Sequence, residues 1–303
     1  MRVKPWKAFL FFLPFLIVFL LFWALPFITG VVGSMYNYRL GTNRNDFVGL
    51  QNYETILFSE SRHHDNFFLG LGNTLIFVGI SVIPLVIICL LLALLLDRVK
   101  DPWKKVFRTL FFMSYAVSVT AVSAIFIWML NGPGSYINVT LSRLGIISAE
   151  SPIGWLSEQP FAWLSILGAT IWWTVGFNMM LFVNALNEID TQLYEASSID
   201  GASYPKQFRY IIMPSIIHTF WFVLLNTTIA SFNLYGQSYL ITRGGPGQST
   251  SSLSLQIYRT IMENKNLSVG MAMAILMGFV VMLFCMAQYL LTQRKKDYME
   301  VRK

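Results

Sequence analysis

Residues 195–214 read EASSIDGASYPKQFRYIIMP and form a short polar segment between two long apolar stretches. Asp190 or Thr191 can cap a helix that runs into this segment, because their side-chain oxygens accept hydrogen bonds from the free N–H groups of a first helical turn. Gly201 can supply the left-handed residue that ends this helix. A second short helix can begin at Ser203. The sequence therefore predicts two short helices joined by a glycine.

The surface of this segment has mixed polarity. The second predicted helix shows Phe208, Ile211 and Ile212 on one side, and Lys206 and Arg209 on others. A compact knob of this kind suits a surface that sits in a cleft of another protein. The alternative is an amphipathic loop that lies in the membrane interface. The residues of the segment alone leave both interpretations open.

The composition of the chain is that of an integral membrane protein. Hydrophobic residues make up 55% and charged residues 12% of the 303 residues, which is too little charge to cover a soluble globule of this length. Helices of about 20 apolar residues cross the hydrocarbon of a bilayer. The continuous apolar runs do not alternate as the strands of a barrel do. An all-α protein with six transmembrane helices is predicted, with spans at about residues 9–28, 71–96, 109–130, 161–186, 214–241 and 269–291.

Basic residues predict the orientation of these spans. The first apolar run is longer than the core of a secretory signal and no A-x-A-like site follows it, so we expect it to be retained. Lys and Arg concentrate in both terminal tails, in the 98–108 loop and at Lys206 and Arg209, and this excess marks the cytoplasmic side. Both termini and residues 188–214 are therefore predicted to be cytoplasmic. The basic residues flank spans and form no patch with stacking aromatics, which argues against nucleic acid as a partner.

The sequence argues against an enzyme or a metal protein. Cys89 and Cys285 fall within apolar spans and are most simply packing residues. His63 and His64 beside Asp65 suggest a metal pair, but a solvated polar loop is the favoured interpretation. Neither a G-x-S-x-G nor an H-E-x-x-H motif is present in the sequence.

The predicted spans carry no Asp, Glu, Lys or Arg well inside the hydrocarbon. Ion-coupled carriers commonly place such residues there, and His218 has no membrane carboxylate to exchange a proton with. The chain also lacks a G-x-x-x-x-G-K-[ST] phosphate loop, so energy for uphill transport must come from a separate ATPase. The two competing functions are a subunit of an ATP-driven importer and a stand-alone secondary carrier or channel for a small polar solute. A membrane scaffold without transport is a third.

The 195–214 segment resembles the EAA loop of ABC importer permeases, in which Glu-Ala-Ala is followed by a glycine and later by a hydrophobic-Pro pair. Ser197 replaces the second alanine of the motif. Tyr194 and the external run Thr242–Pro246 also resemble the larger, maltose-transporter-like subunit of sugar importers. The residues that match the motif or stand in it, and that we expect to contact the ATPase, are Glu195, Ala196, Ser197, Asp200, Gly201, Ala202 and Pro214.

The resemblance implies a type I ABC importer permease fold, with a single transmembrane permease domain over residues 1–303 and a cytoplasmic coupling loop at residues 188–214. We call this loop the coupling segment. It further implies a second permease subunit, generally in a heterodimer, an ATPase homodimer and an extracytoplasmic solute-binding protein, in the inner membrane of a bacterium or archaeon. External loops with Gly-Pro turns would support that binding protein. No cofactor is expected on this chain, since ATP and magnesium would bind the ATPase.

A sugar is the expected substrate. Sugars stack on aromatic rings and pair their hydroxyls with amides and hydroxyls, without need of fixed charge. Such side chains lie in the third to fifth spans, and Thr170, Trp173, Thr174 and Phe177 of the fourth share one helical face. The resemblance implies that Tyr115, these four residues and Ser231 face the sugar, as the corresponding positions do in the maltose-type subunit. Helix packing is the alternative for each residue taken alone. The predicted substrate path comprises Tyr115, Thr170, Trp173, Thr174, Phe177, Ser231, Asn233, Tyr235, Gln237 and Ser238.

Overall fold

The computed structural model describes residues 5–42 and 45–300, and within them the chain is almost entirely helical. Some charged residues used to predict the orientation lie outside the described residues, namely those in 1–4 and 301–303 and Arg44. The helices are α1 (Pro5–Phe19), α2 (Leu25–Gly33), α3 (Gln51–Leu57), α4 (Arg62–Asp97), α5 (Trp103–Ala116), α6 (Val119–Leu130), α7 (Tyr136–Arg143), α8 (Phe161–Asn187), α9 (Thr191–Ile199), α10 (Tyr204–Gln207), α11 (Met213–Phe232), α12 (Leu253–Tyr258) and α13 (Leu267–Glu300).

Short π-helical stretches join several of these helices. They lie at Leu20–Ala24, Phe208–Ile212, Ser238–Thr242 and Arg259–Glu263. Two three-residue strands, β1 (Tyr36–Tyr38) and β2 (Asn45–Phe47), pair antiparallel with Tyr36 opposite Phe47. In the described part of the chain, five helices are long and apolar enough to cross a membrane, and the α5–α6 pair brings the number to six. The predicted all-α membrane fold is therefore confirmed.

The chain divides into two compact units. The first comprises Met1–Leu69 and Gln256–Val280. Within it, Asn52 donates from its amide to the carbonyl oxygens of Ser34 and Tyr36, at 2.7 and 2.8 Å. These bonds hold the end of α2 and the start of β1 to α3, because the half-buried amide satisfies carbonyl oxygens that lie at the ends of these elements.

The second unit comprises Gly70–Leu255 and Val281–Lys303. Its hydrophobic core lies where α4, α8 and α11 meet. Cys89 and Ala93 of α4, Met179 and Phe182 of α8 and Ile216 of α11 are fully buried there. Small residues on α4 let the backbones approach closely, which is how helices associate in a lipid environment.

Helix α8 approaches the backbone of α5 closely at Gly176. A Cβ atom at this position would overlap the carbonyl oxygen of Phe111 and would lie 2.9 Å from the Cα atom of Phe112. Only glycine fits here, because the obstacle is backbone and cannot rotate away. Gly168, two turns earlier on α8, has Phe126 Cε1 as its nearest such neighbour at 3.9 Å.

The third predicted span, 109–130, is not one straight helix. α5 and α6 meet at 95°. Val117 is extended, and the Ser118 hydroxyl caps α6 by accepting from the Ala121 N–H at 3.3 Å. The Ser118 cap begins a new helix, and α5 ends just before it. The sequence prediction missed this break because the apolar run is continuous across it.

The fifth predicted span, 214–241, also differs. A continuous helical run begins at Tyr204, passes through α10 and a π-helical turn into α11, and ends at Phe232. The second helix of the coupling segment is therefore the first turn of this run and not a separate element. At the other end Asn233 donates its side-chain amide to the Ile229 carbonyl at 2.9 Å, which competes with continued helix.

We predict that Gly176→Ala destabilises the second unit by about 1–3 kcal/mol through overpacking. Gly168→Ala is the matched control and should be neutral or stabilising by up to about 1 kcal/mol, since alanine is the better helix former. Thermal unfolding of the detergent-purified chain, followed by loss of the monodisperse peak, measures both. Equal melting temperatures for the two variants would contradict the close approach of α5 to α8.

Candidate functional site

The coupling segment has the local structure that the sequence predicts. Asp190 caps α9, its carboxylate accepting from the Gln192 N–H at 2.9 Å. Gly201 has φ +70°, and the N–H groups of Gly201 and Ala202 donate to the carbonyl oxygens of Ser198 and Ser197 at 3.1 and 2.9 Å. These two bonds are the Schellman pattern that ends a helix at a left-handed glycine.

One side of α9 packs inward. Tyr194 packs against the core of α4, α8 and α11. The Ser197 hydroxyl donates to the Tyr194 carbonyl at 2.9 Å and accepts from the amide of Gln207 at 3.0 Å. This contact joins α9 to α10, so the two helices form one body.

The other side of the segment faces outward. Ile199 is 87% exposed and Tyr210 72% exposed. Of the residues predicted to contact an ATPase, Ser197 and Ala202 are half-buried, and the exposed ones are Glu195, Ala196, Asp200, Gly201 and Pro214. An exposed apolar surface beside a free carboxylate is a surface suited to a protein partner.

A cavity of about 210 Å³ lies inside the second unit. It is enclosed by α4, α5, α8, α11 and the segment that follows α11. Its lining is Phe77, Leu85, Tyr115, Thr170, Trp173, Thr174, Phe177, Asn178, Asn226, Thr227, Ala230, Ser231, Asn233, Leu234 and Gln237. All of the predicted substrate-path residues except Tyr235 and Ser238 are brought together here, and none of the lining residues carries a charge.

Three aromatic rings form one wall of the cavity. Tyr115 of α5 stacks with Trp173 at 6.2 Å and with Phe177 at 4.9 Å between ring centroids. Tyr115 keeps 41% of its surface exposed. An apolar ring face that is open to a cavity can take up the C–H face of a sugar ring.

Trp173 also has a structural task that the sequence analysis missed. Its indole N–H donates to the carbonyl oxygen of Val117 at 2.9 Å. Val117 stands at the break between α5 and α6, where its carbonyl has no helical partner. The indole therefore satisfies a backbone acceptor that the broken helix leaves open.

Hydroxyl and amide groups complete the lining of the cavity. Thr170 and Thr174 donate to carbonyl oxygens one turn earlier, which leaves the lone pairs of both hydroxyls available. The amide of Asn178 donates to Thr227 at 3.3 Å, while its own oxygen is buried without a hydrogen-bond partner. Ser231 accepts from Ser81 at 3.0 Å. A buried, unsatisfied amide oxygen favours a ligand that brings a donor.

Three polar residues of this cavity were not predicted from the sequence, namely Asn178, Asn226 and Thr227. Asn178 follows Thr174 at a spacing of four, and Thr227 precedes Ser231 by the same spacing. Residues four apart share a helical face, so this spacing would have been sufficient to find two of the three.

Tyr235 and Ser238 lie outside the cavity lining. The Ser238 hydroxyl is fully buried and donates to the Thr250 carbonyl at 2.5 Å. Tyr235 stacks with Tyr239 at 5.6 Å. The break after Phe232 turns these residues away from the face that α11 presents, which a continuous helix would not have done.

A second, larger cleft of about 640 Å³ lies among the loops that were predicted to be external. The loop between α6 and α8 is ordered around Asn138. The amide of Asn138 donates to the Gly132 and Ile153 carbonyls, and its oxygen accepts from the Trp155 indole at 2.9 Å. Asn138 is 2% exposed. These loops form a fixed surface beside α6, as the Gly-Pro turns suggest.

Comparison with known proteins places the chain in a family. Residues 89–297 match the family described as binding-protein-dependent transport system inner membrane component. The chain is 30% identical over 295 residues to the Probable starch degradation products transport system permease protein AmyD of Thermoanaerobacterium thermosulfurigenes, a match that covers 95% of this chain and 94% of AmyD. It is 35% identical to the Lactose transport system permease protein LacF of Rhizobium radiobacter over 194 residues, 63% of this chain and 64% of LacF.

The fold is similar to that of solved importers. A chain from the crystal structure of a bacterial ABC transporter involved in the import of the acidic polysaccharide alginate superposes with a TM-score of 0.80 at 20% identity, over 95% of this chain and 96% of that chain. This likeness confirms the predicted type I importer permease fold. The chain is thus a member of the binding-protein-dependent transport system inner membrane component family.

Proposed function

We propose that this chain is a membrane subunit of an ATP-driven, binding-protein-dependent importer for a sugar or oligosaccharide. The observation that carries the proposal is the uncharged cavity of the second unit, which is lined by stacked rings together with amides and hydroxyls. Relatives named for starch degradation products and for lactose support a carbohydrate as substrate.

The cavity suits a neutral polyol. The ring of Tyr115 offers a stacking face, and the free oxygen of Asn178 accepts from a sugar hydroxyl. Thr170 and Thr174 accept from further hydroxyls through their lone pairs. No fixed charge of the cavity has to be desolvated when such a solute enters or leaves.

Energy would enter at the coupling segment. Glu195 and Ile199 lie on its exposed side, where a carboxylate can pair with cationic or N–H groups of an ATPase and an apolar side chain can fill a pocket. ATP and magnesium would be bound by that ATPase, a homodimer, and the cavity would be completed by a second permease subunit. We place the complex in the inner membrane of a bacterium or archaeon, with both termini in the cytoplasm.

A solute-binding protein would deliver the substrate from outside. One alginate importer structure was determined in complex with an alginate pentasaccharide-bound periplasmic protein. In this chain the ordered loop around Asn138 and the cleft beside it offer a fixed external surface for such a protein. Uptake by this chain reconstituted alone would instead support a stand-alone carrier.

The first functional prediction concerns the stacking wall. Trp173→Ala should lower sugar uptake by about tenfold, because it removes a ring from the cavity. Trp172→Ala is the matched control, since Trp172 is 44% exposed and packs at a tilt against Phe126 away from the cavity. Uptake and ATP hydrolysis are measured in proteoliposomes that contain the assembled importer.

Trp173→Phe separates stacking from the hydrogen bond to Val117. If the ring matters for the sugar, this variant should keep most of the uptake. Loss of assembled complex in Trp173→Ala, or equal loss of uptake in the Trp172 control, would show that Trp173 is a packing residue.

The second prediction concerns the left-handed turn of the coupling segment. Gly201→Val should weaken ATPase association by about tenfold, because a β-branched residue at positive φ costs about 1–3 kcal/mol. Gly201→Asn is the control, since asparagine tolerates this conformation. Glu195→Ala should weaken association without changing the fold. The ATPase retained on the purified membrane subunit is measured, and undiminished retention in both Gly201→Val and Glu195→Ala would refute the docking role.

The third prediction concerns orientation. In intact cells, a maleimide that cannot cross the membrane should label Ile146→Cys and miss Asp200→Cys. Ile146 is 64% exposed and is therefore a better external reporter than the buried Asn138. The reverse pattern would invert the proposed topology and remove the ATPase-docking argument.

A further inference from the structure

The C-terminal end of α4 contacts the coupling segment directly. The guanidinium carbon of Arg98 lies 3.6 Å from the ring centroid of Tyr204, well within cation–π distance. One residue earlier, the Asp97 carboxylate pairs with Lys104 of α5 at 3.0 Å. The end of α4 is thus tied to the first residue of α10 on one side and to the first turn of α5 on the other.

Tyr194 fills the space beside this contact. Together with Val99 and Phe208, its side chain packs against the core of the second unit. Its hydroxyl is buried without a hydrogen-bond partner. Burial, and then the nearby Asp97 carboxylate, raise the pKa of Tyr194, so this phenol stays neutral at physiological pH. We call the residues Asp97, Arg98, Lys104, Tyr194 and Tyr204 the α4 clamp.

The α4 clamp connects the coupling segment to the cavity by a second route. Tyr204 starts the helical run that continues into α11, and α11 lines the cavity at Thr227 and Ser231. α4 lines the same cavity from another side at Phe77 and Leu85. A movement of α10 therefore reaches one wall directly along α11. It reaches the wall formed by α4 through the shared core of α4, α8 and α11 and, at the end of α4, through the contact of Arg98 with Tyr204.

We propose that Arg98 is a positioning residue for coupling, which stacks on Tyr204 so that movement of the coupling segment also moves α4. This inference rests on the proposed function, because it requires an ATPase that moves the coupling segment. An exposed cation–π contact is weak and can slide or re-form during a movement, unlike a packed core contact. The sequence alone places Arg98 and Tyr204 far apart and gives no sign of their pairing.

The test uses the complete importer in proteoliposomes with its ATPase side outward. Single reporter cysteines are placed at Lys100, which lies in the α4–α5 loop, and at Ala196 on the exposed side of α9. Labelling by a water-soluble maleimide is timed with and without ATP plus orthovanadate, against the parent chain, whose Cys89 and Cys285 lie within apolar helices. No knowledge of the transported sugar is needed.

In the parent background we expect ATP plus orthovanadate to change labelling of the position-100 reporter by at least about fivefold. Arg98→Gln and Tyr204→Leu should each reduce this change, and the double variant should reduce it no further, because both residues act through one contact. Arg98→Lys and Tyr204→Phe keep the cation and the ring and should restore it. Lys105→Gln is the matched control for loss of one positive charge and should leave it intact.

The two hypotheses fail in different ways. The role of Arg98 is refuted if ATP plus orthovanadate changes maleimide labelling at position 100 equally in the parent and in Arg98→Gln, while the bound ATPase still slows labelling at position 196. A loss in Arg98→Gln that Tyr204→Leu does not reproduce would also overturn it, because Arg98 would then act on another group. If the ATPase fails to protect position 196 even in the parent, the proposed function itself is wrong.

Discussion

The close approach of α5 to α8 at Gly176 is the constraint on which the second unit depends. The backbone of Phe111 and Phe112 occupies the space that any side chain at this position would need. Because α5 lies so close, Tyr115 reaches the rings of Trp173 and Phe177, which lie within one turn of Gly176 on α8. Without that approach the aromatic wall of the cavity would not form.

The break between α5 and α6 places a second constraint on the same unit. A break in a membrane helix leaves backbone groups without partners, and lipid offers none. The second unit supplies them itself, through the Ser118 cap on one side and the Trp173 indole on the Val117 carbonyl. Trp173 thus combines a place in the cavity wall with the stabilisation of the break, so a single substitution at this residue affects both.

The coupling segment and the cavity are built on shared helices. α9 follows α8 after three residues, and the run that begins at Tyr204 extends through α11 to the cavity. Their common core of α4, α8 and α11 is fully buried at Ala93, Met179 and Ile216. In the proposed importer, an ATPase that displaces the segment would therefore act on rigid helices that line the substrate path, and the Arg98 contact would bring α4 into the same movement.

The sequence alone determined the features of this protein that depend on neighbouring residues. Apolar runs determine the membrane helices, and Asp190 and Gly201 determine where α9 begins and ends. The spacing of Thr170, Thr174 and Phe177 determines a shared helical face. Each of these features depends only on neighbours within a turn or two. What depends on distant residues was decided only by the tertiary structure. The bond of Trp173 to Val117, the burial of the Ser238 hydroxyl against Thr250, the burial of Asn138 and the stacking of Arg98 on Tyr204 each depend on a partner that lies beyond the reach of one or two helical turns.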